Sequence, residues 1–144
     1  MEDIVDYKKR DLLYKDLVQK FDLKKVNEKY YDEYFGDFFI TLSSETILIE
    51  YINERSYLTI KIAGSIEPPK WVELSYIIDL INDTQTAIVY QRLTNKNRIE
   101  KFNLFLSENF EIIANLFKED NYQNTSERLE KLVKENFYGN FNQK

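Results

Sequence analysis

Residues 37–63, DFFITLSSETILIEYINERSYLTIKIA, constrain the fold more than any other part of the chain. Apolar and polar residues alternate there, the period-2 pattern of a strand with one buried face. Phe38, Ile40 and Leu42 fall on one side of a strand, and Phe39 and Thr41 on the other. Ser43–Glu45 reads as a turn, TILIEYI as a second strand, NERS at 53–56 as a turn, and YLTIKIA as a third strand. In the third, Leu58, Ile60 and Ile62 point inward, and Tyr57, Thr59 and Lys61 outward. Turns this short join antiparallel neighbours, so the stretch predicts a meander. TILIEYI is apolar nearly throughout, which predicts a central strand. Just upstream, residues 25–35 are rich in tyrosine and read as a further strand, punctuated by Gly36.

Helical spacing takes over on both sides of the meander. Val5, Leu12, Leu13, Leu17 and Phe21 predict a helix from residue 3 to about 20. After the break GSIEPP at 64–69, Trp71, Leu74, Ile77, Ile78 and Ile81 predict an amphipathic helix with Pro69 near its start. Residues 84–96 fit either a strand or a helical extension. From Arg98, the stripe Phe102, Leu106, Phe110, Ile113 and Phe117 predicts a helix split near Ser107. Asn124 stands three residues before Glu127, a capping-box-like start for a last helix carrying Leu129, Leu132, Val133 and Phe137, ended by Gly139. The expected class is α+β: an N-terminal helix, an antiparallel meander of three or four strands, then three or so helices packed on one sheet face. All 144 residues are expected to form one domain.

Absent residue types narrow the chemistry. The chain has no His and no Cys, so the usual zinc sites and the Ser-His-Asp and Cys-His nucleophile systems are excluded. Gly36, Gly64 and Gly139 form no phosphate-binding loop. Glu108 with Glu111, and Glu127 with Glu130, are carboxylate pairs three apart, a spacing that can serve acid–base work but also occurs on any solvated helix face. No enzyme, cofactor or metal is expected. No run approaches the length of a membrane span, and the opening MEDIVDYKKRDLL carries acids where a secretory leader is apolar, so a cytoplasmic location without membrane contact is expected. Trp71, beside two prolines, reads as a core or lid residue rather than a stacking platform.

Charge is distributed unevenly. Residues 28–54 hold seven acids against Lys29, a net of −6 in a chain whose total is −5. Two readings share this pattern: acids that solubilise an exposed sheet, and a recognition surface. Tyrosine offers large contact area with a polar tip at low entropic cost, and a clustered negative field speeds encounter with a basic partner. The recognition reading assigns partner contact to Tyr30, Tyr31, Asp32, Glu33, Tyr34, Asp37, Glu50 and Glu54. As exposed charges, Asp32 and Asp37 are expected to carry little stability. The same acidity disfavours nucleic acid, which needs a basic patch.

The succession YFGDFFITLSSETILIEYINERSYLTIKI, then WVELSYIIDLI, then FNLFLSENFEIIANLFKEDNYQNTSERLEKL resembles, in layout and spacing over residues 30–133, small bacterial α+β immunity proteins of polymorphic or contact-dependent toxin systems. A charged D-R-x-Q-like stretch of that group has only an approximate counterpart in NERSYLTI, at Arg55. The resemblance implies a protein that binds and neutralises a cognate toxin, commonly a basic nuclease, through a charged surface. The alternative is a structural or adaptor domain that docks through its helical face.

Overall fold

The computed structural model describes residues 4–33, 36–66 and 68–142, with side chains as far as 136. Four strands, β1 (Lys24–Tyr31), β2 (Asp37–Ser43), β3 (Ile47–Glu54) and β4 (Tyr57–Gly64), run as an antiparallel meander. A two-residue β5 (Val72–Glu73) extends it on the β4 side. Helix α1 (Asp11–Phe21) precedes the sheet. Helices α2 (Leu74–Asn82), α3 (Ala87–Gln91), α4 (Asn95–Leu116) and α5 (Glu119–Asn142) follow it. The α+β class and the meander are as the sequence predicts, with TILIEYI in the middle strand of five.

Alternation does the sorting. Phe38, Ile40, Leu42, Ile47, Ile49, Tyr51, Leu58, Ile60 and Ile62 are all essentially inaccessible and face the helices. Phe102, Leu106 and Ile113 of α4 and Leu74, Ile77 and Ile78 of α2 close over them. Asn103 ties three elements together: its amide donates to the Leu13 carbonyl at 2.8 Å, and its oxygen accepts from the Tyr51 hydroxyl at 2.6 Å. The Phe21 and Phe110 rings stack at 4.1 Å, fastening α1 to α4.

Several expected boundaries move. The N-terminal helix begins at Asp11, after a single 3₁₀ turn at Tyr7–Lys9 whose Lys8 amide is capped by Asp6. Helical phase then buries Tyr14 and Leu17 and leaves Leu12 70% exposed, so Leu12 does not belong to the core stripe. The expected helix start at Trp71 is displaced to Leu74, because Val72 and Glu73 pair with Ile62 and Lys61. The strand at residues 25–35 ends at Tyr31 and carries a bulge between Lys25 and Asn27. The break in α4 lies at Asn109 (φ −125°, ψ 19°), two residues beyond Ser107. Asn124 caps nothing. The last helix has already begun at Glu119, with Glu119 and Asp120 suited to its positive end, and it runs past Gly139 to Asn142. Phe137 lies outside the described side chains. Residues 84–96 supply α3 and the start of α4.

Strand β5 reaches only one end of β4. The rest of that edge is closed by side chains. Asn95 imitates a neighbouring strand: its oxygen accepts from the Leu58 amide at 2.9 Å, and its nitrogen donates to the Ser56 carbonyl at 2.7 Å. Arg98 donates to the Leu58 carbonyl at 2.7 Å. An edge filled in this way offers no row of free backbone groups to another chain.

Candidate functional site

The helices occupy one face of the sheet. On the other, Phe39, Leu48 and Ile52 stay half-buried, and at its β4 edge Arg98 of α4 lies over the Tyr57 ring. Register places Lys29 and Tyr31 of β1, Asp37, Phe39 and Thr41 of β2, Leu48, Glu50, Ile52 and Glu54 of β3, Thr59 and Lys61 of β4, and Glu73 of β5 on this outer face. The result is an apolar strip with Glu50 at its centre, between Thr41 and Lys61 on the flanking strands. Burial pushes the Glu50 carboxyl above its ordinary range, and Lys61 only partly offsets this.

The structure divides the residues assigned to partner contact. Tyr31, Asp37, Glu50 and Glu54 share the outer face. Asp32 and Glu33 lie exposed in the β1–β2 turn, at the same end of the sheet as Glu54. Tyr30 does not join them. It points to the helical side and stacks on Tyr7, centroids 3.9 Å apart. Tyr34 lies outside the described residues. Lys61, Glu73, Phe39, Leu48 and Ile52 were not assigned from sequence. Alternation could have brought in Phe39, Leu48 and Ile52, which occupy the non-core positions of their strands, whereas nothing local marks Glu73 as a strand residue.

Two acids of the −6 segment have structural duties. Asp37 accepts a hydrogen bond at 2.8 Å from the Arg55 amide. Arg55 and Ser56 form the two-residue β3–β4 loop, both at positive φ (52° and 65°), a conformation costly for residues other than glycine or asparagine. Asp37 is therefore tied to a turn with strained backbone, where the sequence alone suggests a free surface charge. Glu28 faces the helical side, where it receives hydrogen bonds from Tyr7, Arg10 and Lys25. Burial works to raise its pKa, but these donors outweigh burial and bring the carboxyl from 4.5 down to about 2. A carboxyl depressed by folding stabilises the native state above its unfolded value, and that contribution is lost as pH falls from 4.5 towards 2. Glu28→Gln is thus expected to flatten the acid limb of stability across this window, measured by denaturant midpoints at several pH values. An unchanged acid limb would show that the three donors do not act on Glu28 in solution.

The remaining polar clusters are committed to the fold. The Asp79 carboxylate is almost inaccessible and accepts from the Thr84 and Thr86 hydroxyls and from the Thr86 and Ala87 amides, at 2.7–3.0 Å. These hydrogen bonds tie the carboxylate into the α2–α3 connection. Among the described residues, no three Asp or Glu side chains converge as a metal site, and no helix is long and apolar enough to cross a membrane.

Fold and face together define an α+β protein whose helices pack on one face of the sheet, with Phe39, Leu48, Glu50 and Ile52 half-buried on the other among the described residues. Compared with protein-family models, curated proteins and solved structures, the chain matches none.

Proposed function

We propose that the protein is a non-enzymatic inhibitor that binds a basic protein partner, a toxin domain, through the outer face of its sheet. One observation carries this reading: a half-buried carboxylate, Glu50, at the centre of an apolar strip, with its pKa raised by burial. A group that costs stability in the free protein is suited to a site completed by another molecule. A lysine or arginine from a partner would supply the charge that Lys61 supplies only in part. The surroundings support the same reading. Asp37, Glu54 and Glu73 share the face against Lys29 and Lys61, while Tyr31, Phe39 and Ile52 offer contact area. A charged, partly apolar face of this kind is what the resemblance to immunity proteins implies for partner contact.

The test uses Glu50→Gln, because a change at Asp37 would also disturb the Arg55–Ser56 turn. Folding raises the Glu50 pKa, so ionised Glu50 disfavours the native state at pH values above its unfolded range. The neutral variant is expected to be at least as stable as the parent at neutral pH. Binding to a basic toxin-domain partner is expected to weaken by about 1–3 kcal/mol, as for a lost close charge pair. Calorimetric titration at two salt concentrations measures it. Undiminished binding by Glu50→Gln would remove the outer face from the interface.

A second reading rests on the helical side. Leu12 of α1 and Leu104 of α4 are 70% and 58% exposed and line one groove of about 350 Å³ between the two helices. That groove suits an adaptor that docks through its helices. Leu104→Lys, rather than Glu50→Gln, would then abolish partner binding.

A further inference from the structure

A second concave site lies on the helical side of the sheet, away from the outer face. It is a groove of about 330 Å³ between α5, the end of α4 and the chain leading into β5. Trp71, Phe117, Tyr122, Leu129 and Val133 supply its walls. Phe117 and Tyr122 pack closely over Gly64, where a Cβ would meet Tyr122 Cε1 at 3.2 Å and Phe117 Cδ1 at 3.4 Å. Lys70 and Lys134 also line it, with Glu130 the one acid among the described residues. Neither lysine pairs with Glu130 in an ion pair among the described residues.

We infer that this groove binds a small amphiphile with an apolar body and an anionic end, such as a medium-chain carboxylate. The volume is at the lower end for small-molecule sites, enough for a short acyl chain or one ring system. Apolar walls with few polar groups are the usual composition of such sites. Two lysines against one glutamate select a negative head, and a lysine's long stem lets its ammonium follow that head into solvent. Trp71 stands at the wall as a contact residue for the ligand, where the sequence suggests a core or lid position.

Trp71 is the only tryptophan in the chain and serves as the reporter. Full-length protein is titrated with decanoate and with decanol, both below their aggregation limits, and Trp71 emission is followed. Decanoate is expected to give a saturable change, and to bind about tenfold more tightly than decanol, the size of one modest charge interaction. The double variant Lys70→Glu, Lys134→Glu is expected to lose that preference. Val133→Glu, at a position 37% exposed and so tolerant of change, is expected to weaken decanoate by about tenfold or more, with melting unchanged. Unsaturable emission changes, equal affinity for acid and alcohol, or binding by Val133→Glu equal to the parent would each overturn the assignment. None of these outcomes depends on the outer face, so the amphiphile site and the inhibitor reading stand or fall separately.

Discussion

Replacing Arg98 by Met is expected to cost about 3–5 kcal/mol of folding stability, although Met retains much of the arginine's apolar bulk. Arg98 is 2% exposed and is the largest fully buried side chain among the described residues. Its guanidinium donates to the carbonyls of Tyr90 (2.9 Å), Leu58 (2.7 Å) and Leu93 (2.6 Å), more weakly to Gln91 (3.3 Å), and to the Asn95 side-chain oxygen (2.8 Å). It also lies over the Tyr57 ring, 4.0 Å from the centroid. Swapping a buried ion pair for apolar residues is often harmless, because both charges vanish together. That escape is closed to Arg98. Its acceptors are mostly backbone carbonyls, which no substitution removes, and each buried acceptor left without a donor costs about 1–3 kcal/mol. Arg98→Lys keeps the charge but loses the planar fork and is expected to fall between Met and the parent. Denaturant midpoints measure both variants. A midpoint within error of the parent for Arg98→Met would show that water reaches these carbonyls, and that Asn95 alone seals the β4 edge.

Arg98 also marks where sequence reasoning stops. Period-2 alternation in β2 and β4 needs no distant partner to be read, and correctly assigns Phe38, Ile40, Leu42, Leu58, Ile60 and Ile62 to the core. The helical stripes of α2 and α4 are equally local. Other features depend on contacts made far along the chain. Arg98 sits on a helix with Lys96, Glu100 and Lys101, and nothing nearby separates it from a solvated base; its acceptor at Leu58 lies 40 residues away. Val72 and Glu73 become a strand because β4 presents them an edge, against a helical pattern that runs through both. Leu12 looks like part of a core stripe until the 3₁₀ turn resets the phase of α1. The candidate site was legible in the same proportion. The acidic segment is visible as composition, and its charge and tyrosine content bring Glu50 and Tyr31 into the site. Glu28 and Tyr30 are carried to the other face by the β1 register, where Arg10, Lys25 and Tyr7 receive them.

Phe102→Ala is the second large effect expected, about 3–5 kcal/mol, with Leu106→Ala at about 2–5 kcal/mol. Both side chains are fully inaccessible, on the face of α4 that meets β4. Each truncation removes buried apolar surface and leaves a cavity whose walls are held by other elements. Phe102 is also 5.2 Å from the Tyr90 ring, so its loss loosens the α3 segment whose carbonyl binds Arg98. Phe102→Ala and Arg98→Met share this neighbourhood, so the double variant is expected to lose less than the two single losses added. Leu104 provides the control. It lies two residues from each of these core positions but is 58% exposed, so Leu104→Ala is expected to change stability by no more than about 0.5 kcal/mol. Three equal small effects would mean that α4 has no buried face. A large effect at Leu104 with little at Phe102 would mean that the helix is rotated about its axis, turning Leu104 inward and Phe102 outward. The expected order, with Phe102 and Leu106 costly and Leu104 free, also leaves Leu104 available for the adaptor test, since its substitution then reports on docking without reporting on folding.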